Sequence, residues 1–237
     1  MKQTMLTILL CAFFASALSL SLHAADCSTM AGGVPIVLPP PDKEFVEVGS
    51  EKRDFFVYMV PSRNRLLCAF VPADFLPRLK SPASGMGQYM LVELSRKLDE
   101  KNTQVTSASF EKVVLGVKQQ FADSSTLNRT VRTTSEEISS KLKQLDQSKD
   151  MSIGEPVPLG TLFQTSDAYA FAMLASASSG GATTRAINAS ILLRVKDRLI
   201  FAYIYGSTDD ENSLKWVEKT AEQWANEILT ANSKSAK

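Results

Sequence analysis

Histidine is almost absent: the 237-residue chain has one, His23. Its position makes the shortage complete. Residues 1–25 read as a secretory signal peptide, with Lys2 as the positive n-region, an uncharged and largely apolar run from Leu6 to Leu22, and small residues at Ala24 and Ala25. Cleavage after Ala24 or Ala25 removes His23 with the leader. A mature chain without histidine has no Ser-His-Asp or Cys-His catalysis. It also has no histidine-ligated zinc, copper or haem. Carboxylate-pair chemistry, Ser-Lys chemistry or no chemistry is left.

A charge surplus is also lacking. Lysine plus arginine number 26 and aspartate plus glutamate 25. No net field draws the chain to nucleic acid, so none is expected as a partner. Beyond the leader no apolar run is long enough to span a bilayer, so no stable membrane insertion is expected once the leader is cut. An uncleaved leader acting as an anchor is the alternative. A lipoprotein attached through Cys27 fits poorly, because Asp26 precedes it where a small residue is usual.

Cysteine is scarce as well, with three in the chain. Cys11 leaves with the leader, so Cys27 and Cys68 remain. An even count in an exported chain points to a disulfide between them. The competing reading is a buried Cys68 thiol in the apolar segment LLCAFV and a frayed Cys27. The pair lacks C-x-x-C spacing, so a redox-active role is not expected.

The rest of the chain alternates between strand and helix patterns. Residues 26–41 read as an extended N-terminal arm, flexible at Gly32-Gly33 and held in polyproline geometry by Pro39-Pro40-Pro41. DFFVYMV at 54–60 and LLCAFVP at 66–72, with a turn cluster between them, predict a β-hairpin. QYMLVELS at 88–95 is expected as a strand. Phe110, Val113, Val114, Val117 and Phe121 recur at helical spacing and predict a helix over 108–122. A second helix is expected over 134–147, with Thr134 and Glu137 as a capping box. Residues 160–165, 167–176, 186–195 and 198–206 then read as strands, the last two joined tightly at Lys196-Asp197. A C-terminal amphipathic helix follows on Leu214, Val217, Ala221, Trp224 and Ile228, capped by Thr208 to Glu211. Residues 233–237 are a polar tail.

The sum is a single α+β domain over 42–232. It has a mainly antiparallel sheet of about 5–6 strands covered by about 3 helices. The order of elements resembles that of the antiparallel α/β sandwiches of PsbP-like and Mog1-like domains. That likeness is one of layout, without shared signature residues, and it implies no function.

Local motifs for chemistry are weak. Ser84 and Ser95 lack Ser-x-x-Lys spacing, and Ser140-Lys141 sits on a helix expected to be largely solvated. Asp99-Glu100, Glu136-Glu137 and Asp209-Asp210-Glu211 sit side by side, and neighbours on a helix do not face each other. Ser178-Ser179-Gly180-Gly181 precedes a strand, whereas phosphate-binding glycine loops precede a helix. Arg63 and Arg65 flank a turn and could meet an acidic partner. Asn128 and Asn188 match glycosylation sequons. No catalytic, cofactor-binding or metal residue is assigned, no cofactor is expected, and Cys27 and Cys68 are the only site residues named. The expectation is an exported bacterial envelope protein, periplasmic or secreted, that binds a protein or small-molecule partner without catalysis. The alternatives are a histidine-independent enzyme or a membrane-anchored envelope protein.

Overall fold

The computed structural model describes residues 26–79, 87–145, 151–179, 182–208 and 212–233. In chain order the elements begin with β1 (Cys27–Ala31), β2 (Val34–Leu38), β3 (Phe45–Glu47), α1 (Ser50–Met59), β4 (Asn64–Pro72) and β5 (Tyr89–Ser95). Three helices follow: α2 (Arg96–Glu100), α3 (Ser107–Ala122) and α4 (Ser124–Leu145). Then come β6 (Met151–Ile153), β7 (Val157–Gln164), β8 (Ala168–Ser179), β9 (Ala182–Val195), β10 (Arg198–Ser207) and α5 (Ser213–Ser233). The fold is α+β. The main sheet runs β3-β4-β5-β10-β9-β8, and β6 and β7 share the outer edge of β8. Every pairing is antiparallel.

Strand alternation gives this sheet two different faces. On one, Met90, Val92, Leu94, Ile191, Leu193, Ile200, Ala202 and Ile204 are buried beneath α5. Helix α5 contributes Val217, Ala221, Trp224 and Ile228, all fully buried at steps of four, three and four. Leu214, expected in that stripe, is exposed instead, one turn before the helix settles onto the sheet. The expected cap at Asp209, Asp210 and Glu211 lies outside the described residues, as do Gly180 and Gly181.

The arm at 26–41 is a hairpin of β1 and β2. Gly32 and Gly33 take positive φ of 51° and 75°, which two-residue turns between twisted strands require. Its inner side chains, Cys27, Ala31, Ile36 and Leu38, join the α5 core. Asn232 near the end of α5 holds β2 like an extra strand: Val37 N–H donates to its Oδ1 at 2.9 Å, and its Nδ2 donates to Val37 O. Asn232→Ala is expected to lower stability by about 1 kcal/mol, because the half-buried Val37 backbone loses both partners. Equilibrium urea unfolding measures it, and a change below a few tenths would show that water replaces the amide.

The second face carries α1, α3 and α4, and here the sequence reading needs two corrections. Residues 54–60 form no strand. Residues 54–59 lie in α1 and Val60 caps it, so the expected 54–60/66–72 hairpin does not exist, and β4 pairs with β5 and with the short β3 instead. Aromatic content favours strands, but Phe55 with Met59 and Phe56 with Val60 also repeat at four, and burial of Phe56 and Val60 against β4 decides for helix. Pro61 then stops it. Helix α4 starts ten residues earlier than expected. Its cap is Asp123, whose carboxylate accepts from the Ser125 and Thr126 amides at 3.1 and 3.3 Å. Thr134 sits in mid-helix and donates back to Thr130 O.

Other expectations hold. The 108–122 helix is α3, and the turn at Lys196 and Asp197 takes positive φ at both residues. No helix among the described residues is long and apolar enough to cross a membrane.

Candidate functional site

The second face is not uniformly apolar. Under α1 lies one cluster around Phe56, Leu66, Ala69, Val71 and Leu91. Under α3 lies another around Phe110, Val114, Tyr169, Phe171 and Leu192. Between them the register lines up polar side chains. On β5, Tyr89 and Glu93 flank Leu91. On β10, Tyr203 stands opposite Leu91, and Tyr205 opposite Tyr89. On β9, Ser190 is opposite Tyr203, and Asn188 opposite Tyr205. The result is a polar seam across three adjacent central strands.

Glu93 is its chemical centre. Its side chain is 3% exposed, so its charge has little water to lean on. Asn64 Nδ2 donates to its Oε2 at 2.8 Å. Burial pushes the Glu93 carboxyl up to about 7, although the Asn64 hydrogen bond and the charges of Arg63 and Lys141 pull it down. Burial also raises the Tyr203 and Tyr205 hydroxyls, with Glu93 adding to both, so these phenols stay neutral. Tyr89 is raised by burial and by Tyr205, on which its ring stacks at 4.3 Å.

The turn at 60–64, which Asn64 ties to Glu93, also anchors α4. Lys141 Nζ donates to Val60 O at 2.8 Å and pairs with Glu137 at 2.9 Å. Glu137 accepts from the Ser62 amide, and Arg63 Nη2 donates to Thr134 Oγ1 at 3.1 Å. The turn at 60–64 is therefore gripped by α4 from one side and by Glu93, through Asn64, from the other. Those bonds to Lys141 and Ser62 hold the Glu137 carboxyl down at about 2. The chemical potential of the seam is a proton held at neutral pH by one buried carboxyl. Glu93 itself is buried, while Tyr89, Tyr203 and Tyr205 beside it are half-buried.

The residues singled out from sequence go elsewhere. Cys27 and Cys68 do meet, in a disulfide that joins β1 to β4 with a Cα–Cα distance of 6.4 Å. Both are buried, so the alternative of a buried Cys68 thiol and a frayed Cys27 was right about the place of Cys68 and wrong about its state and about Cys27. Asp99 accepts from Gly32 N–H at 2.7 Å and pairs with Arg65 at 2.8 Å, a structural clasp on the hairpin turn. Glu137 serves the turn at 60–64, and Arg63 points into α4 rather than to a partner. Asn188 is 5% exposed in mid-strand, closed to any glycan. Ser178 bonds Thr183 across the β8–β9 hairpin at 2.9 Å. Glu93 was missed because one acid in a strand of apolar residues has no motif. The only signal was that it alternates in phase with Tyr89.

Two shallow, open depressions lie elsewhere. One is lined by Pro39, Gln223, Glu227 and Thr230, the other by Thr183, Thr184, Arg185 and Thr208. Neither gathers an acid pair, and neither encloses a small molecule.

Comparison with known proteins adds little. No family model matches the chain, and no curated protein does. Among solved structures, a mutant of the protein Mog1 is similar over 89% of this chain and 94% of that one, with 10% identity and a TM-score of 0.31. That likeness carries neither fold assignment nor function.

Proposed function

We propose that this chain is an exported bacterial envelope protein, periplasmic or secreted, that binds a partner without catalysing a reaction. One observation carries the reading: a buried disulfide fastens the segment just behind the leader pattern to β4 of the main sheet. Such bridges persist where the surroundings are oxidising. The leader pattern explains how the chain would reach that compartment. The enzyme alternative would work through Glu93, which among the described residues is the acid held near neutrality. Glu93 is 3% exposed and its hydrogen bond goes to Asn64 of the turn at 60–64, a structural role that favours binding over catalysis.

The experiment is expression of the full chain in a bacterial host, followed by fractionation and native mass measurement. The expected result is a shortened protein released by osmotic shock, with additional mass retained from a bound partner or ligand. A full-length protein in the cytoplasm, or one that stays with membranes after a salt wash, would overturn the export reading. A bare protein that turns over a substrate would overturn the binding reading.

A further inference from the structure

Strand β7 pairs with β8 on one side and has no strand on the other among the described residues. Its eight residues, VPLGTLFQ, hold no charge. The opposite edge of the sheet is β3, only three residues long and ending in an acid, Glu47. Of the large apolar side chains that are exposed, Met30, Val57, Leu115 and Leu214 stand singly on β1, α1, α3 and α5, as scattered surface apolar residues commonly do. Val157 and Leu159 share β7, 54% and 43% exposed. An uncharged, apolar edge strand is a template for a further chain, and a lysine on such an edge is a common guard against it.

Charge stands at both ends of the strand, with opposite sign. Glu155, two residues before β7, is exposed and forms none of the ion pairs among the described residues. At the far end Lys118 of α3 donates from Nζ to Gln164 Oε1 at 2.6 Å and lies 5.4 Å from the centre of the Tyr169 ring. Asp167, three residues further on, is already paired with Arg194. The edge is thus acidic where it starts and basic where it ends. Two copies laid edge to edge and antiparallel bring each Glu155 toward the other copy's Lys118, with the apolar residues between them. A parallel arrangement would set like charges together at both ends. A two-fold contact of the antiparallel kind is self-complementary and closes on itself. We infer that the partner of the β7 edge is a second copy of this chain, bound antiparallel about a two-fold axis.

The strand's irregularities set the form of that contact. β7 is bulged at Leu159 and Leu162, which have no opposite residue on β8, and Gly160 takes a φ of 115°. Pro158 has no N–H to donate. Bulges and prolines keep an edge from extending a sheet through a continuous ladder. The contact is therefore mainly side chain on side chain, Val157 and Leu159 of each copy against those of the other, with the charged groups at its rim. A contact of this size is weak and reversible. It stands on β7 and its flanking charges, and it does not depend on the export or binding reading above.

The test is sedimentation equilibrium of the purified, oxidised protein up to about 1 mM, where even a weak contact of about 4 kcal/mol is half formed. The expected result is a monomer–dimer equilibrium with no larger species, because a two-fold contact uses up the edge. Leu159→Lys brings like charges together across the contact and should abolish the dimer. Leu159 is 43% exposed, so the variant should keep the fold, which circular dichroism checks. Glu155→Lys and Lys118→Glu should each weaken the dimer by about tenfold, and the double variant should return to within about threefold of the parent. Damage from losing the Lys118 bond to Gln164 would not be rescued by Glu155→Lys, so rescue separates charge pairing from local structure. A monomer at every concentration would overturn the inference. So would a dimer untouched by Leu159→Lys, single variants without rescue in the double, or assembly beyond the dimer.

Discussion

Glu93→Gln is expected to stabilise the protein at pH 8 by on the order of 3 kcal/mol and to change it little at pH 4.5. The sign follows from the direction of the shift. The Glu93 carboxyl is raised from 4.5 to about 7 in the folded state, chiefly by burial. Between those two values the native chain holds a proton that the unfolded chain has released. Stability contributed by this group is therefore complete below about pH 4.5 and is lost as pH rises through about 7. Glutamine imitates the protonated acid: it is neutral, nearly the same shape, and its carbonyl can still accept from Asn64. The variant escapes the cost of charging a group that is 3% exposed. Urea unfolding of both proteins from pH 4.5 to 8 makes the comparison. Parallel curves would mean that Glu93 titrates as an ordinary surface acid. Glu137 works in the opposite sense. Its carboxyl is held at about 2, so its contribution is present above about pH 4.5 and fades toward pH 2. The two acids lie on opposite sides of the turn at 60–64, and their effects separate cleanly on the pH axis.

Replacing both bridge cysteines, Cys27→Ala with Cys68→Ala, is expected to cost about 4 kcal/mol in the chain-entropy account. The sequence separation of 41 is what sets that figure. Without the bridge, the unfolded chain regains the freedom of a long loop. The folded chain still has Ile36, Leu38 and Asn232 to hold the hairpin, so the fold should survive with a lower midpoint. Alanine is the right replacement, because a serine hydroxyl would find no water at two buried positions. The measurement is the urea midpoint of the double variant against the oxidised parent. A loss near zero would place the hairpin's stability in its packing alone.

Much of this architecture was legible, and the failures have physical causes. Helix α5 announced itself through Val217, Ala221, Trp224 and Ile228, which repeat at the helical period and nothing else. The β9–β10 turn showed as two polar residues between apolar runs. Helix α1 misled because Phe55, Phe56, Val57 and Tyr58 favour strands locally, and only the contact of Phe56 with the sheet overrides them. The α4 cap was misplaced because Thr134 and Glu137 have capping-box spacing but serve the middle of a helix. There Glu137 reaches a turn 75 residues away in sequence. The disulfide was legible by counting once the leader was set aside. The seam around Glu93 was not, because its members come from β4, β5, β9 and β10 and meet only through strand register.

The proposed export and the Cys27–Cys68 bridge can be tested together. The most direct measurement is the intact mass of the protein isolated from its own envelope, alkylated before and after reduction. The prediction is a chain lacking residues 1–25, inert to the alkylating agent until reduced, and then modified at both Cys27 and Cys68. A chain that keeps residues 1–25 and reacts at these cysteines without reduction would contradict it.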